Sequence, residues 1–283
     1  MGSCHGKVAF VTGASRGIGR AIARRFAAED AAVVLCASRM GAHGDLEGTL
    51  EETASTIQAA GGTAAAVAAD LSKPEARNDL IERASEFFGP IDILVNNAAG
   101  SRMRLPSQAT TAERSFMHEL NLNAPIDLAQ QAIPGMRERG GGWILNISSA
   151  TSKQSTLPYR DTKQAALVIG PYGATKAALE RYTEALAHEA AEHDIFVNAL
   201  APVAIVLTQS AATVRDIARR NPDMVEPVEM MAEAALELCT GRHVGRVMFS
   251  RDVLHQTGRK LHSLDGKRVI GDAFTRADPE ATA

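Results

Sequence analysis

Two short segments of this chain place a tyrosine and a lysine four residues apart. Tyr159 and Lys163 form the first pair, Tyr172 and Lys176 form the second, and a proline precedes each tyrosine. On a helix this spacing puts the phenol and the ammonium group on one face. A nearby positive charge favours the ionised form of a tyrosine, which can then exchange protons with a substrate. At most one of the two pairs is expected to be catalytic.

The residues that follow each tyrosine distinguish the two pairs. After Tyr159 the chain soon meets Gly170 and Pro171, which would end a helix, whereas the segment after Tyr172 reads "GATKAALERYTEALAHEAAEHD". That segment can form about six helical turns and leads directly to a predicted strand at Ile195. A crossover between parallel strands needs such a helix. The pattern therefore favours Tyr172 and Lys176.

A glycine-rich turn near the N-terminus indicates a dinucleotide. Gly13, Gly17 and Gly19 stand between a strand-like run and a helical pattern. Glycine allows a tight turn and lets backbone N–H groups approach a pyrophosphate at the helix N-terminus. The spacing is Gly-x-x-x-Gly-x-Gly rather than Gly-x-Gly-x-x-Gly, and the strand-turn-helix context carries the interpretation.

The end of the second strand indicates which dinucleotide. An NAD site would place a carboxylate there to hold the ribose 2′-OH, but this chain has Ser38 and Arg39, with Arg16 in the glycine turn. Arginine forms charge-assisted contacts with phosphate. We therefore predict NADP(H) ahead of NAD(H), the alternative being that both arginines are solvated surface charges.

The predicted strands and helices, which must position these residues, alternate along the chain. Strands are predicted near Val8–Thr12, Ala32–Ala37, Thr63–Ala69, Ile91–Asn96, Trp143–Ser148, Ile195–Leu200 and Arg246–Ser250. Helices are predicted near Gly17–Glu29, Leu50–Ala60, Glu75–Phe88, Thr111–Arg139, Tyr172–His193 and Val228–Thr240. The pattern predicts an α/β fold: a single Rossmann-type domain over 1–283, with a doubly wound parallel sheet of about seven strands and helices on both faces.

Three connections are longer than the fold requires: Met40–Gly48, 150–171 and 201–227. The first two directly follow strands, so both are expected at the ligand-binding edge of the sheet. We interpret 201–227 as a substrate-binding loop. The tail, 252–283, has no clear periodicity.

Composition excludes several function classes. The net charge of -3 gives no attraction to nucleic acid or an anionic membrane, and no apolar run is long enough to span a bilayer. The three cysteines and eight histidines lack metal-ligand spacing, so no metal is expected. Reduced cysteines and the absence of a secretion signal predict a cytoplasmic protein.

In combination, the motifs resemble those of the short-chain dehydrogenase/reductase family. The matching stretches, in order, are "TGASRGIG" from Thr12, "ADL" from Ala69, "NNAAG" from Asn96, "LNL" from Leu120, "NISSA" from Asn146, "YGATKAALE" from Tyr172 and "VNALAP" from Val197. The resemblance implies interconversion of an alcohol and a carbonyl by hydride transfer to or from a nicotinamide, with Tyr172 as general acid/base.

The resemblance also implies roles for individual residues. The catalytic set would be Asn121, Ser149, Tyr172 and Lys176. The cofactor would contact Gly13, Ser15, Arg16, Gly17, Ile18, Gly19, Ser38, Arg39, Asp70, Leu71, Asn97, Ala98, Ala99, Gly100, Tyr172, Lys176, Pro202 and Thr208. The family usually has Pro-Gly where this chain has Pro202 and Val203, which bears on the path to Thr208. Ser149, rather than the adjacent Ser148, would face the substrate.

The sequence around Asn121 supports a special role for this residue independently of the resemblance. Pro125 lies four residues later and has no N–H, so the Asn121 carbonyl loses its helical partner and a kink is expected. In the relay that the resemblance implies, this carbonyl would hold a water molecule linked to Lys176. The alternative is a proline merely tolerated near a helix start.

The gap from Ser149 to Tyr172 exceeds that usual in the family, which an insertion of about one short helix, Ser152–Gly170, explains. This insertion would cover the substrate mouth and make Tyr159, Arg160 and Lys163 candidate substrate-facing residues, unless they belong to a solvated turn. The resemblance further implies a homodimer or homotetramer acting on a small-molecule substrate. A different hypothesis is a non-catalytic NADP(H)-binding regulatory module.

Overall fold

A seven-stranded parallel sheet forms the centre of the computed structural model, which describes residues 1–42, 44, 47–102, 104–156, 166, 170–203, 205–206, 218–219 and 225–277. Its strands are β1 (Val8–Thr12), β2 (Ala32–Ala37), β3 (Thr63–Ala68), β4 (Ile93–Asn96), β5 (Gly142–Ile147), β6 (Ile195–Ala201) and β9 (Val247–Phe249). The order is β3-β2-β1-β4-β5-β6-β9. This confirms the predicted doubly wound sheet, whose strand order reverses between β1 and β4.

Both faces of the sheet are covered, as the apolar strands require. In β1, Ala9 and Val11 pack into one hydrophobic core, whereas Val8 and Phe10 pack into the other. This is the period-two alternation of a strand, with apolar residues on each side. The two cores fix the register of the sheet because a one-residue slip would exchange the faces.

The helices divide between the two faces. Among the described residues they are α1 (Gly17–Ala27), α2 (Leu50–Ala59), α3 (Leu80–Phe88), α4 (Thr111–His118), α5 (Ala124–Glu138), α6 (Pro171–Ala190), α7 (Val228–Leu238) and α8 (Ser250–Thr257). Residues of α1, α2, α7 and α8 belong to one core, and residues of α3, α5 and α6 belong to the other. Short 3-10 turns cover Pro74–Ala76, Pro106–Gln108, Ala150–Thr156 and Ala191–His193, and a π-helical turn covers Glu119–Asn123.

The C-terminal segment, which has no clear periodicity in the sequence, is folded against the domain through residue 277. Helix α8 begins at Ser250, and a small hairpin pairs β10 (Leu261–His262) with β11 (Val269–Gly271). Glu233 of α7 is fully buried and anchors this segment, since it accepts hydrogen bonds from Arg25 Nε at 2.8 Å and Arg259 Nε at 2.6 Å. The ion pairs therefore tie the tail to α1 and α7.

The connection after β6 begins and ends in a short parallel pair, β7 (Ile205–Val206) with β8 (Val225–Glu226). This pair forms the base of the predicted 201–227 loop. Helices long and apolar enough to cross a membrane do not occur in the described part of the chain.

Candidate active site

A cleft of about 760 Å³ opens at the carboxyl ends of the central strands. It lies where the strand order reverses, the usual ligand site of such sheets. Most of the predicted cofactor-binding residues line it: Gly13, Ser15, Arg16, Gly17, Ile18, Ser38, Arg39, Asp70, Leu71, Asn97, Ala98, Ala99, Gly100, Tyr172, Lys176 and Pro202. Gly19 and Asn121 lie behind the lining, while Tyr159, Arg160, Lys163 and Thr208 lie outside the described residues.

The turn after β1 is held to the end of β4 by a polar cluster. The Thr12 hydroxyl accepts hydrogen bonds from the backbone N–H groups of Asn97 and Ala98, both at 3.0 Å. The Asn97 amide donates to the carbonyls of Thr12 at 2.9 Å and Gly13 at 3.2 Å. These bonds fix two walls of the cleft relative to each other.

The glycines of this turn have different structural roles. Gly13 and Gly17 adopt φ values of +65° and +55°, which disfavour residues with a Cβ. Gly19 is needed for close packing instead, because a Cβ there would overlap the Gly13 carbonyl and the Asn97 amide. The first turn of α1 has no side-chain cap and no acidic residue. Its N-terminus therefore suits a pyrophosphate.

Two arginines lie at the end of the cleft beyond β1 and β2. Arg16 donates from Nη2 to the Gly48 carbonyl at 3.3 Å, and its buried Nη1 has no partner within the described residues. Arg39 is exposed and lines the cleft. Gly48, at φ +92°, packs against Ser15, so the Met40–Gly48 connection does reach the ligand-binding edge. This donor set fits the extra phosphate of NADP(H).

Asp70 marks the opposite wall, after β3. Its carboxylate accepts hydrogen bonds from the Ser72 backbone N–H at 3.2 Å and the Ser72 hydroxyl at 2.7 Å. These contacts form a local turn that sets the position of Asp70 and Leu71 in the cleft.

Tyr172 is the second residue of the long helix α6 and lines the cleft beside Ser149. Burial raises the pKa of Tyr172 to about 12, and a hydrogen bond with the Ser149 hydroxyl opposes that rise. The Ser149 hydroxyl also accepts a hydrogen bond from Thr151 Oγ1 at 3.0 Å. Gly173 lets this segment approach α6, since a Cβ there would lie 2.7 Å from the Thr151 carbonyl oxygen.

Lys176 is buried one helical turn after Tyr172. Its Nζ donates to the Ile147 carbonyl at 2.7 Å and lies 5.9 Å from the centre of the Tyr172 ring. Burial lowers the pKa of Lys176 to about 8, while the negative charge of Glu180 opposes the shift. The sequence predicts that Lys176 lowers the pKa of Tyr172, but desolvation by burial prevails and the phenol keeps its proton at neutral pH.

The adjacent serines at the end of β5 point to different partners. The Ser148 hydroxyl donates to Glu180 Oε1 at 2.7 Å, and the Ser152 hydroxyl donates to the same atom at 2.6 Å. Ser148 also lines the cleft, but its hydroxyl is engaged by Glu180, and Ser149 is the serine that hydrogen-bonds to Tyr172. Glu180 has no predicted role, although its i+4 spacing from Lys176 was visible in the sequence.

Asn121 lies in the π-helical turn between α4 and α5 and is fully buried. Its side chain exchanges two hydrogen bonds with the Gly100 backbone, each 2.9 Å long, and donates to Thr175 Oγ1 at 3.2 Å. The sequence predicts a kink at this position because Pro125 lacks an N–H, and the structure has a π-helical turn there. Asn121 thereby connects the loop after β4 to the helix carrying Tyr172.

Arg102, Phe116 and Leu120 are among the lining residues to which the sequence assigns no role. Phe116 and Leu120 are one helical turn apart, and both approach Gly100. The Arg102 guanidinium lies over the Phe116 ring, with Cζ 4.1 Å from its centre. No group of three or more His, Cys, Asp or Glu side chains that could hold a metal occurs within the described ranges.

The chain is similar to proteins of known sequence over nearly all its length. It is 31% identical over 285 residues to hydroxysteroid dehydrogenase-like protein 2 of Danio rerio, covering 99% of this chain and 66% of that protein. A relative from Nostoc, ketoacyl reductase HetN, is 33% identical over 202 residues, covering 71% of this chain and 64% of that protein. The chain thus spans less than two thirds of the length of either relative.

Solved structures show the same architecture. A 3-oxoacyl-(acyl-carrier-protein) reductase from Agrobacterium tumefaciens C58 with NADP bound is 32% identical, with a TM-score of 0.73 over 87% of this chain and 93% of that chain. A 7α-hydroxysteroid dehydrogenase with NADH and 7-oxo glycochenodeoxycholic acid is 28% identical, with a TM-score of 0.74 over 87% of this chain and 93% of that chain. The short chain dehydrogenase model matches residues 7–218, and the chain belongs to that family.

Proposed function

We propose that this chain is an NADP(H)-dependent oxidoreductase that interconverts an alcohol and a ketone or aldehyde, with Tyr172 as general acid/base. The observation that carries the proposal is the grouping of Tyr172, Ser149 and Lys176 around one cleft that also contains the glycine turn. The bound nicotinamide would supply or accept the hydride.

Carbonyl reduction needs a proton donor at the oxygen that becomes the alcohol. Tyr172 suits this role because burial raises its pKa to about 12, so the phenol is protonated at neutral pH. Ser149, which already bonds to Tyr172, would donate a hydrogen bond to the same substrate oxygen. In the reverse direction Tyr172 must lose its proton, and positive charge near the ring would favour that loss.

Lys176 would act from beneath the tyrosine. With a pKa of about 8 it is mostly protonated at pH 7, and its ammonium would bind the ribose hydroxyls of the cofactor as well as favour phenolate. Asn121 would complete the set by holding a water molecule on the carbonyl left without an N–H partner by Pro125. That water would connect Lys176 to solvent.

Arg16 and Arg39 support NADP(H) as the preferred cofactor. Both line the cleft, the buried Nη1 of Arg16 has no partner within the described residues, and Ser38 stands where NAD sites have a carboxylate. NAD(H) is the alternative, since the related 7α-hydroxysteroid dehydrogenase was solved with NADH. We propose that Ser149 and Tyr172, which line the cleft, contact the substrate. A substrate contact of Tyr159 remains a prediction from the sequence.

Tyrosine substitutions test the proposal directly. We expect Tyr172→Phe to lower kcat on the order of a hundredfold or more, because the proton donor is lost while packing is kept. Tyr159→Phe is the matched control. It should retain kcat, and any effect should be limited to the KM for the substrate. The measurement is NADPH and NADH oxidation across ketones, aldehydes and acyl thioesters, with kcat/KM compared for the two cofactors.

Other outcomes would contradict separate parts of the proposal. Wild-type turnover by Tyr172→Phe together with inactivity of Tyr159→Phe would transfer the catalytic role to Tyr159. A higher kcat/KM with NADH would refute the interpretation of Ser38 and Arg39. Tight NADPH binding without turnover on any carbonyl or alcohol would favour a non-catalytic module.

A further inference from the structure

The loop after β4 carries an arginine at the reacting end of the cleft. Arg102 follows Gly100, which exchanges hydrogen bonds with the Asn121 side chain at 2.9 Å in each direction. Asn121 also donates to Thr175 on α6, the helix that carries Tyr172. The arginine is therefore held on the wall next to Tyr172, whereas Arg39 follows β2 and lies beyond β1.

The Arg102 guanidinium is supported by an aromatic ring and, among the described residues, engages no carboxylate. Its Cζ lies 4.1 Å from the centre of the Phe116 ring, and its Nη1 donates only weakly to the Ser101 carbonyl at 3.4 Å. Arg104, two residues later, shows the contrast because its Nε forms an ion pair with Glu113 at 2.9 Å. Stacking orients the Arg102 donors and leaves their hydrogen bonds available.

The charges around the cleft make this arginine chemically distinctive. Its charged lining residues in the described part of the chain are Arg16, Arg39, Asp70, Arg102 and Lys176. The single carboxylate among them, Asp70, follows β3 at the far wall, and Lys176 is buried beneath Tyr172. Among the described lining residues, the charges on the Tyr172 side are consequently positive, and Arg102 is the one that is exposed to solvent.

We infer that Arg102 binds an anionic group of the substrate, a carboxylate or a phosphate, away from the reacting carbonyl. This inference rests on the proposed function and narrows its substrates to acidic carbonyl compounds and alcohols. A planar guanidinium pairs with two oxygens of either anion and so orients the substrate as well as attracting it. Because Arg102 is exposed, the attraction should weaken with added salt.

Matched pairs of probes test the inference without knowledge of the natural substrate. Levulinate and methyl levulinate differ in a carboxylate, and dihydroxyacetone phosphate and dihydroxyacetone differ in a phosphate. Binding to the NADPH-loaded protein is measured by calorimetry, and turnover by NADPH absorbance. We expect at least one acidic probe to bind on the order of tenfold more tightly than its neutral counterpart, as a charge-assisted contact provides.

Substitution should remove this preference selectively. Arg102→Met should abolish the tenfold difference and leave binding of the neutral probes and NADPH unchanged, while Arg102→Lys should keep part of it. Arg104→Met, in the same loop but outside the cleft, is the control and should keep all of it. Acidic-probe preference in a protein that turns over no carbonyl or alcohol would contradict the proposed activity and still support this site.

The inference would be overturned by equal affinity of acidic and neutral probes for the wild-type protein, by no measurable binding of either acidic probe, or by an equal loss of preference in Arg104→Met. A loss of NADPH affinity in Arg102→Met with unchanged probe binding would assign Arg102 to the cofactor instead, and would overturn it too.

Discussion

Glu180 and Lys176 are a buried pair one helical turn apart on α6. The carboxylate accepts hydrogen bonds from the hydroxyls of Ser148 and Ser152 on a single oxygen, Oε1. Its negative charge partly offsets the desolvation that lowers the pKa of Lys176 to about 8. Glu180 thus helps Lys176 keep its proton near neutral pH and also fixes the segment that bears Ser149.

Replacing Glu180 with glutamine should change the pH dependence of activity. Without the anion, the pKa of Lys176 should fall further below about 8, so the loss of activity at high pH should begin at lower pH. We expect a shift of about half a unit to one unit in the basic limb of kcat/KM against pH. The measurement is carbonyl reduction from pH 6 to 9.

Ser152→Ala is the control for this substitution, since it removes a hydrogen bond from Glu180 and keeps the charge. Its profile should stay at the wild-type position even if the overall rate falls. Equal shifts in both variants would show that Glu180 acts only by holding the segment in place.

Individual residues differed in how far the sequence predicted their placement. The sequence favours Tyr172 and Lys176 because their spacing and the length of the following helix are local properties. Arg102 and Phe116 were missed because their contact joins a loop to a helix fourteen residues later, and only packing creates it. Strand alternation predicts that only one of Ser148 and Ser149 faces the substrate, but it does not say which. Only the family resemblance selects Ser149, and in the structure the Ser148 hydroxyl donates to Glu180.

At the scale of elements, the run from Thr111 to Glu138 shows how a proline shapes the site. The sequence predicts one helix with a kink near Asn121, and the structure has α4, a π-helical turn over Glu119–Asn123 and then α5. The kink could be predicted from Pro125 alone. The π-helical form of the turn depends on hydrogen bonds from Asn121 to Gly100 and Thr175, which belong to distant segments. Such turns are frequent at functional sites.

Restoring the missing N–H should disturb this turn. In Pro125→Ala the amide of residue 125 can bond to the Asn121 carbonyl, which favours a regular α-helix and removes the proposed water site. We expect kcat to fall on the order of tenfold, as for a displaced catalytic contact. Steady-state kinetics and the melting temperature are the measurements.

Pro134 supplies the comparison because it lies inside α5, away from the cleft. Pro134→Ala should leave kcat unchanged and affect only thermal stability. If both variants retain full activity, the turn at Asn121 has no catalytic role and the proposed relay fails.

At the scale of the whole molecule, charged contacts join the C-terminal segment to the body of the domain. Glu233 bonds to Arg25 and Arg259, and Ser250 at the start of α8 bonds to Glu226. Periodicity could not reveal this because the hairpin strands are two and three residues long and the partners are far apart in sequence. The central sheet was predictable, since its apolar strands and long helices carry their own pattern.

Glu226 should make the stability of the protein depend on pH. Its buried carboxyl group accepts hydrogen bonds from the Ser250 hydroxyl at 2.7 Å and the Val203 N–H at 3.4 Å, at the base of the 201–227 loop. Burial raises the pKa of Glu226 from 4.5 to about 7, although the hydrogen bonds from Ser250 and Val203 and the charge of Arg251 oppose the rise. The folded protein therefore holds a proton between those values that the unfolded chain has lost.

The stabilising effect of that proton is complete below pH 4.5 and is lost as pH rises through about 7. Its size is at most about 3 kcal/mol in the free energy of unfolding, from 1.36 kcal/mol per pKa unit. Glu226→Gln keeps the shape of the neutral group but cannot ionise, so the variant should resist this loss. Urea unfolding at pH 5 and pH 8 should show a larger decrease in the free energy of unfolding for the wild-type protein than for Glu226→Gln.

Glu192→Gln, at a side chain that is 76% exposed, is the control and should show the same decrease as the wild-type protein. Equal decreases for the wild-type protein and Glu226→Gln would mean that the carboxyl group is already ionised in the folded protein at pH 5. The junction between the loop and α8 would then not be the origin of the pH dependence.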